Sequence, residues 1–157
     1  MPLDEAAFRR TMSQLPTGVA VVTARVPRGR AVGMTASSVT SLSLEPPMLL
    51  VCVGRDSELH AVLLEAERFG VNVLAAGQVD PCQGAGNQRG AARRRDHLAL
   101  LEQLPPAFGA LARIECRRRG QLDGGDHTIV TGTLEWSEVT EGRPLCYFGG
   151  RYAELAR

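Results

Sequence analysis

Short strand-like runs separated by turn residues recur along this chain, and nowhere do they alternate regularly with helices as a parallel sheet requires. Residues 19–24 form a β-branched run, Pro27-Arg28-Gly29 reads as a turn, and 32–44 resumes the strand pattern, so this part predicts a hairpin. After Pro46-Pro47 the run Met48-Leu49-Leu50-Val51-Cys52-Val53 is continuously apolar, which predicts a strand buried on both faces. Further strands are expected over 69–74, 110–118, 128–139 around the only tryptophan, Trp136, and 144–148. Two helices interrupt them. Asp4 can cap one in which Phe8, Met12 and Leu15 recur at helical spacing before Pro16-Thr17-Gly18, predicting an amphipathic, docked helix. Ser57 can cap the other, with Leu59, Val62, Leu63 and Ala66 on one face. The fold class that follows is mainly β, a closed antiparallel barrel with peripheral helices on its rim.

At 157 residues the chain fits one domain, 1–157. Within it, 75–106 reads as an irregular excursion: Gly, Gln, Ala and Arg dominate through Arg95, and a short helix is expected over 96–104. A loop this long in a compact domain is usually functional or mobile.

Several function classes are excluded early. All 18 basic residues are arginine, which removes P-loop, Schiff-base and amine-nucleophile lysines together. A net charge of +1 offers no field for gathering nucleic acid or anionic lipid, so neither partner is expected. Cys52, Cys82, Cys116 and Cys146 contain no C-x-x-C pair and suggest reduced thiols, with no metal site. The first residues lack a basic segment followed by an apolar one, and no apolar run approaches the roughly 18 residues that span a bilayer; a cytoplasmic protein is expected. Gly84-Ala85-Gly86 is followed by Gly90, one place too late for a dinucleotide fingerprint.

Three features could carry chemistry. The hydroxyl-rich stretch 35–41 would let backbone amides and O–H groups approach a phosphate, or is simply a solvated strand. His60 lies one turn into the second helix, where it reaches a ligand over the helix start or faces solvent. Gly124-Gly125-Asp126-His127 delivers Asp and His together to the first residue of a strand. A histidine there can offer a proton or hydrogen bond over a barrel mouth; the alternative is an Asp-stabilised turn with a surface imidazole.

Taken in order, several segments resemble the flavin reductase-like family of FMN-binding split barrels. They are Phe8-Arg9-Arg10-Thr11-Met12 with Pro16-Thr17-Gly18-Val19-Ala20-Val21-Val22-Thr23, then Gly33-Met34-Thr35-Ala36-Ser37-Ser38-Val39-Thr40-Ser41. Ser43-Leu44-Glu45-Pro46-Pro47 leads into the apolar run, followed by Ser57, His60 and Phe69-Gly70-Val71-Asn72-Val73-Leu74. Gly109-Ala110-Leu111-Ala112-Arg113-Ile114-Glu115-Cys116, Gly125-Asp126-His127-Thr128-Ile129 and Tyr147-Phe148-Gly149-Gly150-Arg151-Tyr152 complete the set.

The resemblance implies a six-stranded antiparallel Greek-key split barrel of the FMN-binding type, forming a homodimer with flavin near the subunit interface. It implies reduction of FMN or FAD by NADH or NADPH, with the reduced flavin passed to a partner monooxygenase. Thr35, Ala36, Ser37, Ser38, Cys52, Val53, Ser57, His60, Asn72, Arg151 and Tyr152 would bind the cofactors, and His127 would be the catalytic residue on the nicotinamide side. One departure stands out: where relatives place a Leu-Ser-x-x-Phe-Ala element and a Phe-containing helix, residues 80–97 lack phenylalanine. That departure motivates the alternative of a flavin-binding accessory protein that has lost reductase activity.

Overall fold

The computed structural model describes residues 3–25, 31–78 and 110–155. Helix α1 (Glu5–Met12) is followed by β1 (Thr17–Gly18), β2 (Ala20–Arg25), β3 (Ala31–Ala36), β4 (Val39–Ser43) and β5 (Met48–Gly54). Helix α2 (Glu58–Glu65), β6 (Arg68–Val73), β7 (Ala112–Gly124), β8 (His127–Val139), β9 (Leu145–Phe148) and β10 (Arg151–Glu154) follow. One seven-stranded antiparallel sheet has the order β3-β2-β6-β7-β8-β5-β4, and a three-stranded sheet has the order β1-β9-β10.

The mainly β expectation holds, with seven strands in the principal sheet where six were expected. Closure is incomplete. The edge strands β3 and β4 share no ladder, yet only Ser37-Ser38 joins them. Ala36 and Val39 are three peptide units apart, which spans at most about 11 Å, so the two edges must come back towards each other. The sheet therefore rolls up and stays split at residues 36–39, beside edges whose outward backbone groups have no strand neighbour among the described residues.

Alternation explains the core. Val22, Val51, Val53, Val71 and Val130 point into the roll and are completely buried, with Leu59 and Leu63 of α2 plugging one end. On the opposite face of β2, Val19 and Val21 form a second cluster with Leu74, Leu145 and Tyr152, covered by the small sheet. Both faces of β2 are thus buried over the apolar run Ala20-Val21-Val22, whereas Thr23 is partly covered and Arg25 is exposed. The apolar run in β5 behaves differently: Leu49, Val51 and Val53 are buried while Met48, Leu50 and Cys52 are only partly covered. The expectation of two buried faces fails there because no second sheet packs outside β5 among the described residues.

Asp4 caps α1 as expected, accepting from the Ala7 amide at 2.6 Å. The helix is not docked, however. No residue of it is buried, and Phe8, Met12 and the following Leu15 are 54%, 45% and 56% exposed. Much of the excursion over 75–106 lies outside the described residues, as do the departing segment 80–97 and the turn at 27–29.

Burial pushes the Cys116 thiol up to about 12, with the charges of Glu115 and Glu135 adding to the shift. A raised folded value means that the neutral thiol is favoured by folding. Its contribution to stability is complete below the ordinary thiol range and is lost as pH rises towards 12. Cys116 should resist iodoacetamide in the native state at about pH 8, while the partly exposed Cys52 and Cys146 react. Peptide mass mapping after brief labelling checks this; early modification of Cys116 would contradict its burial.

Candidate functional site

At the split, the ends of three elements converge on one cleft of about 670 Å³. Its walls are Met34, Thr35 and Ala36 from the end of β3, Ser37 and Ser38 from the β3–β4 link, then Cys52 and Gly54 of β5 and Arg55, Asp56 and Ser57 from the turn after it. Asp126 and His127 from the β7–β8 hairpin complete it. Seven residues expected from the sequence thus meet: Thr35, Ala36, Ser37, Ser38, Cys52, Ser57 and His127.

The link is tied to the floor. The Ser38 carbonyl accepts from the Cys52 amide at 3.0 Å, and the Ser38 hydroxyl donates to the Cys52 carbonyl at 3.2 Å. Ser57 stands at the N-cap of α2, but its hydroxyl donates to the Gly54 carbonyl at 2.7 Å and does not cap the helix. The corner between β5 and α2 is therefore closed from within. Small and hydroxyl side chains line the cleft because a bulky residue at 35–38 would fill the gap where the sheet parts.

The hairpin turns through Gly125 at φ 77°, a left-handed conformation that suits glycine. Its ladder ends at Gly124 opposite His127, and His127 in turn pairs with Gly54. His127 Nδ1 lies 2.7 Å from Asp126 Oδ1. That hydrogen bond, and then the histidine charge, holds the Asp126 carboxyl below the usual carboxylate range. An ionised carboxylate only accepts, so Nδ1 carries the shared hydrogen. Nε2 is then a proton acceptor in the neutral ring and a donor in the imidazolium. A Cβ at Gly54 would sit 3.7 Å from this Nε2, an ordinary contact distance, which places the ring directly over Gly54 at the floor.

Arg55 braces the hairpin from below. Its amide donates to the Asp126 carbonyl at 3.0 Å, its Nε reaches the His127 carbonyl at 3.5 Å, and its Nη2 pairs with Asp123. Arg55 itself lines the cleft, beside the carboxylates of Asp56 and Asp126.

The other expected residues lie elsewhere. Val53 is fully buried in the barrel core, because alternation along β5 sends its side chain inward while Cys52 faces the cleft. His60 Nε2 sits 2.8 Å from the Thr128 hydroxyl and does not line the cleft. Asn72 is 7% exposed, its Nδ2 3.5 Å from the Val21 carbonyl, and it lines a second groove of about 340 Å³ with Arg25, Arg68, Arg113 and Trp136. Arg151 and Tyr152 lie on β10; Tyr152 stacks edge-on against Tyr147 at 5.6 Å. Arg55 and Asp126 lacked a place among the expected site residues. Gly-Asp-His advertised Asp126, but Arg55 meets the hairpin only through pairing across some seventy residues, which local sequence cannot show.

Comparison with known proteins points one way. The profile described as a flavin reductase like domain matches residues 12–156. The chain is 38% identical over 155 residues to an FMN reductase (NADH) of Agrobacterium fabrum, covering 98% of this chain and 88% of that protein. It is 39% identical over 150 residues to the reductase component of 4-hydroxyphenylacetate 3-monooxygenase of Thermus thermophilus, covering 95% of each. Among solved structures it resembles the NADH:FAD oxidoreductase SgcE6 of Streptomyces globisporus in complex with NAD and FAD fragments. That likeness has a TM-score of 0.86 at 33% identity, covering 99% of this chain and 95% of that one.

Proposed function

The chain belongs to the flavin reductase-like family, and on that premise we propose that it passes hydride from NADH or NADPH to FMN or FAD. The reduced flavin then serves a flavin-dependent monooxygenase. The observation that carries this reading is the convergence of Thr35, Ser37, Ser38 and Ser57 with Arg55 and the His127–Asp126 pair on one cleft. A flavin nucleotide needs hydroxyl and amide partners for its ribityl and ring-edge polar groups, a cation for phosphate, and a concave site of roughly 300–1,000 Å³. The cleft meets each need.

When bound, the flavin supplies the two-electron acceptor for hydride from a reduced nicotinamide. The protein's part is to bind, orient and exclude water. Thr35, Ser37 and Ser38 would hold the flavin at the split, and Arg55, which lines the same cleft, would offer the cation for its phosphate. His127, oriented through Nδ1 by Asp126, would present Nε2 to the nicotinamide side as a hydrogen-bond or proton partner. Replacing Thr35 with valine and Ser37 with alanine should weaken flavin binding by about 1–3 kcal/mol for each hydrogen bond lost. Fluorescence titration reads this directly; unchanged affinity would reduce the segment to a strand.

No helix among the described residues is long and apolar enough to cross a membrane. A cytoplasmic setting, where thiols stay reduced and nicotinamide nucleotides are at hand, belongs to the same reading. The protein is further proposed to work as a homodimer. The amide of Gly149 donates to the Ser13 carbonyl at 2.9 Å, bringing the β9–β10 turn beside the end of α1. Exposed Phe8, Met12, Leu15 and Phe148 thus offer apolar surface that a second copy would cover. Met12→Arg with Phe8→Glu should convert a dimer to a monomer by light scattering. A parent protein that is already monomeric would end the dimer reading.

Anaerobic mixing of protein, FMN or FAD, and NADH or NADPH tests the activity. Rapid bleaching of the flavin absorbance is expected. Retained flavin without bleaching would instead indicate the accessory protein that has lost its activity.

A further inference from the structure

Along β8 the inward-facing positions Thr128, Val130 and Gly132 are buried, and Thr128 is the one among them that carries a hydroxyl. At 7% exposure that hydroxyl is costly unless it is hydrogen-bonded. Its partner is His60 Nε2 at 2.8 Å. His60 stands in the first turn of α2, a helix pinned to the core by Leu59 and Leu63, each 1% exposed. For His60 to turn towards the cleft, it would have to leave the buried Thr128 hydroxyl without this partner.

Thr128 directly follows His127. From outside, Arg55 already grips the hairpin turn through the Asp126 carbonyl and Asp123. From inside, His60 grips the first buried residue of the same strand. The corner formed by residues 54–60 therefore holds the hairpin end at two points, with His127 between them opposite Gly54.

We infer that His60 is a positioning residue for His127, acting through Thr128, and that it does not contact the flavin. This rests on the reductase reading above. His60 fixes where Nε2 of His127 lies over the floor at Gly54, and its contribution belongs to the orientation of the reacting groups, where small displacements are expensive.

A double-mutant cycle of His60→Leu and Thr128→Val, with His60→Gln as the conservative variant, tests this. Flavin affinity, kcat, KM for NADH and the rate at which diethylpyrocarbonate modifies His127, located by peptide mapping, are measured on the full chain. Either single removal should lower kcat about five- to tenfold and leave flavin Kd within about twofold, as expected of misplacement and not of lost contact. The double variant should be no worse than the poorer single one. His127 modification should change in rate in both singles, and His60→Gln, which keeps an amide nitrogen near the Nε2 position, should recover much of the loss.

Additive losses, or a His127 modification rate unmoved by Thr128→Val, would overturn the inference. So would a roughly tenfold loss of flavin affinity in His60→Leu with Thr128→Val silent, which would make His60 a flavin contact. If His60→Leu does not fold, Thr128→Val and His60→Gln decide by the same readouts. A parent protein that binds flavin without reducing it removes the reductase reading alone, because the modification rates still report whether His60 and Thr128 position His127.

Discussion

Replacing His127 with alanine is expected to lower kcat about a hundredfold while changing flavin Kd by less than about threefold. The hydroxyls proposed to hold the flavin sit on the end of β3 and on the β3–β4 link, whereas His127 lines the cleft from the end of the β7–β8 hairpin. Removing its ring leaves Thr35, Ser37 and Ser38 in place and takes away only the group proposed to orient the nicotinamide side. Asp126→Asn should cause a smaller loss. An amide can still meet Nδ1, but it no longer selects the tautomer that leaves Nε2 to act. Stopped-flow bleaching at saturating NADH measures the chemical step. A His127→Ala rate equal to that of the parent would remove the residue from the mechanism.

The largest effect on stability is expected at Gly132. A Cβ there would lie 2.7 Å from two atoms of the Phe69 ring and 2.9 Å from Cys116 Cβ. Phe69 is 2% exposed and Cys116 is completely buried, so neither has room to yield. Phe69 fills the space left by the missing side chain, across three hydrogen-bonded strands. Gly132→Ala should destabilise the fold by about 1–3 kcal/mol or more through overpacking. That corresponds to a fall in Tm of roughly 3–10 °C for a chain of this size. Trimming the partner with Phe69→Leu should recover part of the loss in the Gly132→Ala background, although Phe69→Leu alone destabilises. A thermal melt of Gly132→Ala coinciding with that of the parent would show that the strands can separate more freely than their packing implies.

These two glycine and histidine positions differ in how they could be read. Gly-Gly-Asp-His is a local signal: a left-handed residue at Gly125 and an Asp beside a His are consequences of four consecutive residues. Gly132 carries no such signal. Its need for glycine comes from Phe69 on another strand, sixty-three positions away.

The residues bringing strands into being were legible for the same reason as the turn. Alternation and β-branching are properties of neighbouring residues, so β2, β6, β8 and β9, the two helices, the hydroxyl cluster and the family pattern could be read along the chain. Which faces became buried could not. β2 and β5 both begin with apolar runs, yet among the described residues only β2 has a second cluster outside it, formed with Leu74 and Leu145 and covered by β9 and its neighbours. The apolar face of α1 is as periodic as a docked helix requires and is nevertheless exposed, because no element among the described residues packs over it.

The sequence alone determined the element types, the hairpin turn that presents His127, and the hydroxyl-bearing link that borders the cleft. Tertiary structure decided the rest: that the sheet stays split between β3 and β4, that Arg55 braces the hairpin, and that Val53 faces the core. It also gave His60 to Thr128 and carried Asn72 to a separate groove. Each of those outcomes depends on which strands meet and in what register, and register is set by burial summed over the whole sheet, not by any stretch of neighbouring residues.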